Sequence, residues 1–142
     1  MPGIPNFIFG KTKIPLLYKS MDAYSMRQKS IVNNIANVST PGFRRTEVKF
    51  EEELKKALGK RGIKGYLTNP KHIPVGRPSI ERVKPIPYMP KDDSLRSGLN
   101  NVDIDHEMAE LAKNQIRYAY ATRLMRDSFN KLRSSIRGEY VR

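Results

Sequence analysis

The strongest constraint on this chain is a regular spacing of apolar residues in its last third. Between residues 104 and 136, ten positions follow alternating steps of four and three, and eight of them are apolar or aromatic. This heptad spacing is that of a coiled-coil seam and predicts one helix over residues 104–137. Such a helix would be roughly 50 Å long, which is more than a compact small domain needs.

The sequence also predicts where this helix begins and ends. Asp103 is the predicted N-cap, and Gly138 is placed to terminate the helix. Carboxylates gather in the first turn and basic residues in the last turns, which agrees with the helix dipole.

A second heptad stripe runs through residues 14–38 and predicts an N-terminal helix with Pro15 in its first turn. Each stripe contains a glutamine, Gln28 in the first and Gln115 in the second. Two interpretations stay open. A glutamine inside the seam fixes register and partner, whereas one at the edge of the seam is simply solvated.

The middle of the chain has a different composition. Residues 46–58 suit a short helix with Glu–Lys pairs. The stretch from there to residue 98 holds six of the chain's ten prolines and several glycines. Short segments within residues 77–89 could pair as strands, although proline restricts them to sheet edges. We therefore expect a mostly extended and poorly packed insert.

These patterns predict a mainly α fold in which long N- and C-terminal helices pair as an antiparallel, coiled-coil-like hairpin around an irregular middle. The predicted organisation is an N-terminal helix and turn over residues 1–45, a basic insert over 46–98 and a C-terminal helix over 99–142. One assembly domain would combine residues 14–45 with 99–138. Two paired helices without a third layer leave apolar surface exposed, so we expect frayed arms that order when other subunits cover them.

The charge of the chain is strongly basic. It carries 27 basic and 14 acidic side chains, a formal net charge of +13, and the excess is largest in residues 44–98. Such a balance fits a nucleic acid, an anionic lipid surface or an acidic protein as partner, and equally a solvated basic surface. Nucleic-acid binding is the alternative function, and its steep salt dependence would distinguish it from an apolar seam.

Candidate catalytic chemistry is sparse in this sequence. There is no cysteine, and neither His72 nor His106 has a nucleophile or carboxylate at a spacing typical of catalysis. Neither a glycine-rich phosphate loop nor a metal-ligand motif is present, and no apolar run is long enough to cross a membrane. The first residues lack the basic start and apolar block of a cleaved signal peptide. We expect no enzymatic activity, no cofactor, no metal and no small-molecule substrate.

The stretch NNIANVSTPGFRR, residues 33–45, stops the first helix abruptly. Pro41 cannot continue a helix, and Gly42 permits a positive φ. Phe43 can then fold back on the helix as a hydrophobic clasp. Three asparagines are more than termination requires, and their side chains can bond backbone groups of the turn or of a neighbouring chain.

This asparagine-rich stretch resembles the N-terminal signature of bacterial flagellar rod, hook and hook-associated proteins. The segment NNVDIDHEMAELAKNQIRYAYATRLMRDSFNKLRSSIRG, which begins at residue 100, resembles the matching C-terminal segment of that family. The short length of the chain resembles that of the small rod subunits, and the stretch TNPKHIP is similar to a segment found in them. The two matches cover roughly residues 14–54 and 99–138, in the order that the family requires.

The resemblance implies a structural subunit of the proximal rod of the flagellar basal body, which assembles through its terminal helices into a tubular drive shaft. The implied partners are copies of itself, other rod subunits, and the membrane ring and export gate at the proximal end, with nucleic acid disfavoured. The implied location is the periplasmic rod, reached by export without a cleaved signal peptide. The expected assembly interface comprises the two stripes and the turn: Leu17, Met21, Tyr24, Ile31, Asn34, Ile35, Asn37, Pro41, Gly42, Phe43, Ile104, Met108, Leu111, Gln115, Tyr118, Met125, Phe129, Leu132 and Ile136.

Overall fold

The computed structural model describes residues 12–59, 80–91 and 100–138. The described residues are mainly helical, with a long helix near each end of the chain, as the sequence predicts. A small two-stranded sheet lies between these helices along the chain. The stretch 60–79, which contains His72 and part of the predicted insert, lies outside the described residues. The elements in chain order are α1 (Ile14–Ala36), β1 (Glu47–Lys49), α2 (Glu51–Leu58), a 3₁₀ turn (Ile80–Arg82), β2 (Ile86–Tyr88) and α3 (Ile104–Arg137).

The ends of α3 are set by the two residues that the sequence marks for them. The Asp103 carboxylate accepts hydrogen bonds from the backbone N–H groups of Asp105, at 2.9 Å, and His106, at 3.3 Å. Gly138 adopts the left-handed conformation with φ of 70°, and its N–H donates to the Ser134 carbonyl. These contacts satisfy backbone groups that a helix end otherwise leaves unpaired, and both capping predictions are confirmed.

The end of α1 is a tight turn, also as predicted. The helix stops at Ala36, and Gly42 takes a φ of 75° at the exposed tip of the turn. The Thr40 N–H donates to the Asn37 carbonyl at 3.0 Å, and the Phe43 N–H donates to the Thr40 carbonyl at 3.3 Å. Phe43 itself is half-buried. The chain is thereby reversed within a few residues and delivered to β1.

The middle of the chain differs from its prediction in one respect. Residues 46–50 are not helical, because Glu47–Lys49 pairs antiparallel with Ile86–Tyr88 and Val48 stands opposite Pro87. Val48 is β-branched and buried in this strand, which fits a strand better than a helix. The helix α2 begins only at Glu51, where three successive glutamates stabilise its first turn.

After α2, the described part of the predicted insert packs against the core only through Ile80 and Val83, whereas Ile86 and Met89 are exposed. Phe50, Ala57 and Val83 are buried together with Ala23 of α1, and Leu54 and Ile80 pack against them. A fully buried phenylalanine side chain contributes roughly 2 kcal/mol to stability. This cluster fixes α2 and the 3₁₀ turn on one side of α1.

The helices α1 and α3 pack along each other. The buried residues of α3 are Glu107, Asn114 and Ala121, at intervals of seven. That interval is two turns of a helix, so the three residues lie in one row. No helix among the described residues is long and apolar enough to cross a membrane.

Candidate assembly interface

Asn34, in the last turns of α1, is the centre of a buried polar cluster. Its side chain is 1% exposed and bonds both backbone groups of Thr46, accepting from the N–H at 2.9 Å and donating to the carbonyl at 3.0 Å. The same amide nitrogen donates to the Glu107 carboxylate of α3 at 3.1 Å. One asparagine therefore joins α1, the segment entering β1 and the first turns of α3.

Arg45 supplies the positive charge of this cluster. Its side chain is 6% exposed, and its guanidinium pairs with Glu107 at 3.5 Å and with Glu47. Its backbone N–H donates to the Asn101 side chain at 2.9 Å. The buried Glu107 is thus compensated by one arginine and one amide, as a buried carboxylate requires.

Asn100 holds the turn after α1 from the other side. Its amide nitrogen donates to the carbonyls of Val38, Asn37 (3.3 Å) and Thr40 (3.4 Å), while its side-chain oxygen accepts from the Val102 N–H at 3.1 Å. These carbonyls lie at the C-terminal end of α1, where intrahelical donors run out. We call the contacts of Asn34, Arg45, Asn100, Asn101 and Glu107 the polar clasp.

The polar clasp restricts how the two long helices can be aligned. Buried ion pairs add little net stability compared with apolar packing, but breaking one partner is costly, so they disfavour other alignments. Sliding α3 by one turn would separate Glu107 from Asn34 and Arg45 together. The clasp can therefore set the register of α1 against α3.

A second polar contact lies further along the same two helices. The Asn114 amide donates to the Tyr24 carbonyl at 2.9 Å and to the Gln28 side-chain oxygen at 3.0 Å. Gln28 is half-buried, whereas Gln115 is exposed. Of the two interpretations left open by the sequence, one therefore applies to each glutamine. Gln28 lies in the seam, and Gln115 lies at its solvated edge.

An ion pair closes the side of α1 that faces α2. The Arg27 guanidinium donates to both carboxylate oxygens of Glu51 at 2.6 Å and to the Val48 carbonyl at 3.0 Å. This hydrogen bonding holds the pKa of Glu51 below its ordinary value and raises the pKa of Arg27. Arg117 of α3 adds a third contact to Glu51 at 3.6 Å, so the pair connects α1, α2 and α3.

The predicted interface residues of α1 and the turn fall into three groups. Ile31 and Asn34 are buried, whereas Pro41 and Gly42 are exposed at the tip of the turn. The remaining members are half-buried: Leu17, Met21, Tyr24, Ile35, Asn37 and Phe43. Asn37 bonds its own helix, since its amide donates to the Asn33 carbonyl at 2.8 Å.

The predicted stripe of α3 is largely exposed in the single chain. Leu111, Met125 and Leu132 are half-buried, but the other members are exposed: Ile104, Met108, Gln115, Tyr118, Phe129 and Ile136. The row that faces α1 contains Glu107, Asn114 and Ala121 instead, which lie one position before Met108, Gln115 and Thr122. Small and polar residues thus occupy the contact with α1, and the apolar stripe lies beside it.

An open apolar groove runs between α1 and α3 where these exposed residues meet. It encloses about 720 Å³, and Tyr18, Met21, Tyr118, Met125 and Phe129 are among its lining residues. An uncovered groove of this kind marks a surface for protein contacts. Its position next to the intramolecular contact lets a further helix pack against both arms at once.

Four members of the polar clasp were missed by the sequence reasoning: Arg45, Asn100, Asn101 and Glu107. The signal that could have found two of them, Asn100 and Asn101, is the repetition of the Asn-Asn pair, at residues 33–34 and 100–101, close to a predicted helix boundary in each case. Paired asparagines at both boundaries suggest mutual backbone capping. Glu107 carries no such signal, because an acidic residue in a first helical turn is ordinary.

Comparison with known proteins gives consistent relatives. No family model matches the chain. The chain is 32% identical over 127 residues to the flagellar basal body rod protein FlgB of Borrelia hermsii, covering 84% of this chain and 91% of that protein. It is 30% identical over 122 residues to FlgB of Bacillus subtilis (86% and 91% covered). It is 32% identical over 108 residues to FlgB of Salmonella typhimurium (70% and 75% covered).

Proposed function

Because the chain belongs to the FlgB family of flagellar basal body rod proteins, we propose that α1 and α3 form an antiparallel, coiled-coil-like hairpin that is its unit of rod assembly. The chain is a structural subunit of the flagellar basal body rod. The proposed role is mechanical and non-enzymatic. The names of the relatives give the nucleic-acid alternative no support.

The order of the contacts along the two helices supports the antiparallel arrangement. Asn34, near the end of α1, bonds Glu107, near the start of α3. Gln28 bonds Asn114, and Tyr18, near the start of α1, lines one groove with Met125 of α3. As the residue number falls along α1, that of its partner rises along α3.

The single observation that carries the assembly proposal is the exposure of large apolar side chains on α3. Ile104, Met108 and Phe129 are 47%, 52% and 49% exposed, and Ile136 is 84% exposed. Scattered apolar residues are normal on a surface, but these follow one heptad stripe over the length of a helix. Neighbouring subunits that pack their own helices against this stripe would remove it from water.

In the assembled rod we place the chain at the proximal end of the periplasmic drive shaft. Its partners there would be copies of itself, the other rod subunits, and the membrane ring with the export gate. The hairpins would stack helically with their apolar stripes between neighbours. No small-molecule substrate takes part in this role.

The location is tested by labelling the protein in purified basal bodies. A tag on the chain, decorated with gold and imaged by electron microscopy, should mark the part of the rod next to the membrane ring. Label on the distal rod or hook would refute the proximal assignment. Basal bodies that contain no label, with the tagged chain otherwise expressed and the cells motile, would refute the rod function itself.

The antiparallel pairing is tested with introduced cysteines, since the chain has none of its own. Tyr18→Cys combined with Met125→Cys should cross-link within one chain under mild oxidation. The matched control, Tyr18→Cys with Met108→Cys, should not. The reverse result would mean that the helices run parallel.

A further inference from the structure

The second half of α3 is strongly and unevenly basic. Between residues 117 and 138 there are six basic residues and one acidic residue, Asp127. Arg123, Arg126, Arg133 and Arg137 are all exposed and form no ion pair with any residue that the structure describes. These four cations are therefore not neutralised by the chain's described part, whereas Arg117 contacts Glu51.

These four arginines lie along one side of the helix, which we call the arginine stripe. A residue in an α-helix turns about 100° from its predecessor, and this places Arg126 and Arg133 directly beside the apolar row of Met125, Phe129, Leu132 and Ile136. Arg123 and Arg137 lie one step further round. In heptad terms, Arg126 and Arg133 occupy an edge of the seam, where charge selects the partner helix.

The helix dipole does not account for this arrangement. A dipole favours cations within about the last turn of a helix, and that explains Arg137. Arg123 and Arg126 lie roughly three to four turns earlier on α3. A second cause is needed for the stripe, and recognition of carboxylates is the chemistry that planar guanidinium groups serve best.

We propose that the second half of α3 is a docking seam for an amphipathic helix of a different protein, one that carries carboxylates beside its own apolar stripe. The inference rests on the proposed rod function and names the kind of subunit that this end of the hairpin accepts. The apolar row Phe129, Leu132 and Ile136 supplies the contact area, and Arg126 and Arg133 select the acidic partner.

A second copy of this chain does not offer the complementary helix. Along the apolar stripe in the first half of α3, Asp105 is the exposed flanking carboxylate, because Glu107 is buried in the polar clasp. The residues that flank the stripe of α1 include no carboxylate: Lys13, Tyr18, Ser20, Ser25, Arg27, Val32 and Asn34. Residues 1–11 contain apolar side chains but no acidic one. With a net charge of +13, two copies brought together at this surface would also repel each other.

The shape of the apolar surface favours a helix over a membrane. A helix that lies in a lipid interface has a broad apolar face. The row from Met125 to Ile136 is narrow, as in a helix–helix seam, and its basic residues are concentrated on one side. A partner helix, rather than an anionic lipid surface, therefore fits this half of α3.

The experiment uses the full chain and three synthetic peptides. The first is a helical peptide with a leucine seam flanked by glutamates. The second is identical except that lysines replace these glutamates, and the third has the first peptide's composition in scrambled order. At an ionic strength of about 0.15 M, which screens distant charges, fluorescence anisotropy should show binding of the first peptide alone.

Charge reversal at the seam edge then tests the residues. The double variant Arg126→Glu with Arg133→Glu should weaken binding of the glutamate peptide by about tenfold or more, since two flanking ion pairs become repulsive, and should gain binding of the lysine peptide. The control, Lys131→Glu, reverses an exposed charge outside the arginine stripe and should change the binding of neither peptide. If the introduced glutamates disturb the helix, the neutral double variant Arg126→Gln with Arg133→Gln takes their place. It should give an intermediate loss of binding of the glutamate peptide.

Four results from the binding experiments would overturn the inference. They are equal binding of the glutamate and scrambled peptides, arginine-dependent binding of phosphatidylglycerol vesicles without peptide binding, arginine-dependent self-association, and peptide binding that requires removal of residues 1–11. Labelling of the rod separates this inference from the proposed function. A double variant that still enters basal bodies and supports motility would refute the docking seam while leaving the rod function intact.

Discussion

At the scale of single residues, Asn34 is the side chain on which the polar clasp depends most. Its side-chain amide makes two hydrogen bonds with the backbone of Thr46, of the kind that a neighbouring strand would make. The same amide donates to the buried Glu107. An apolar side chain of the same size would leave both backbone groups of Thr46 unpaired and would leave Glu107 with Arg45 as its partner. A buried polar group without a partner costs about 1–3 kcal/mol.

Asn34→Leu should therefore lower the free energy of unfolding by about 2–4 kcal/mol, because the costs of two unpaired backbone groups are combined. Urea denaturation followed by circular dichroism measures it. The matched control is Asn33→Leu, the same change at an exposed neighbour, which should alter stability by less than about 0.5 kcal/mol. Equal effects of the two variants would show that the polar clasp does not hold the chain together.

The Arg27–Glu51 pair gives a prediction about pH. Hydrogen bonding from Arg27 holds the pKa of Glu51 below its ordinary value in the folded chain. The contribution of a carboxyl with a lowered folded pKa is present above its unfolded pKa and is lost as pH falls through the folded value. Glu51 is half exposed, so solvent screening keeps the contribution near 0.5 kcal/mol, roughly that of a surface pair.

Glu51→Gln should lower the urea midpoint at neutral pH, and this difference should shrink as the pH falls below the unfolded carboxyl pKa of about 4.3 and through the lowered folded pKa. Glu52→Gln is the control, since Glu52 is exposed and has no ion pair among the described residues. A stability difference between Glu51→Gln and the wild-type chain that stays constant from pH 7 to about pH 3 would contradict the role of this pair.

At the scale of elements, the relation between the contact of α1 with α3 and the apolar stripe is the main finding. The single chain buries a row of Glu107, Asn114 and Ala121 and leaves much of the apolar stripe in water. The helix α3 therefore has two neighbouring faces. One contacts α1, and the other is open to contact with other molecules. Substitutions in the stripe should consequently harm assembly.

Ile35→Asp and Leu111→Asp should each abolish motility while the protein is still expressed. Both residues are half-buried on the two stripes, and a desolvated, unpaired carboxylate at an interface costs several kcal/mol, about as much as a weak contact supplies. Swarming on soft agar together with immunoblotting measures the effect. Asn33→Asp places the same charge at an exposed position and should leave swarming normal, and normal swarming by the two stripe variants would exclude these residues from the assembly contact.

At the scale of the whole molecule, order is expected to be graded along the two packed helices α1 and α3. The polar clasp and the cluster around Phe50 tie one end together. The other end of α3 is mostly exposed from residue 122 onwards. Local stability follows buried contact density, so the free chain should open from the second half of α3 first.

Amide hydrogen exchange on the free chain and on assembled rods measures this gradient. In the free chain, residues 122–137 should exchange fast, whereas residues 31–36 and 104–114 should exchange more slowly because the clasp holds them. In rods, both arms should be protected, since neighbours then cover the stripe. Uniform strong protection of α3 in a monodisperse monomer would mean that the chain is a self-sufficient domain.

The sequence by itself determined the elements whose causes are local. The heptad spacing, the Asp103 cap and Gly138 define α3 to its terminal residues, and the Pro41-Gly42 pair defines the turn after α1. Helix periodicity and capping depend on residues within a few positions of one another. These features could therefore be predicted without knowing any tertiary contact.

Only the tertiary structure decided which residues meet. The strand β1 forms because residues 47–49 find a partner about forty positions later, and a contact at that distance overrides the helical propensity of the segment. Asn34 meets Glu107, and Asn100 meets the end of α1, across more than sixty residues. The stripe of α3 lies beside the contact rather than in it because these polar pairs fix the rotation of one helix against the other, and no spacing within either helix contains that information.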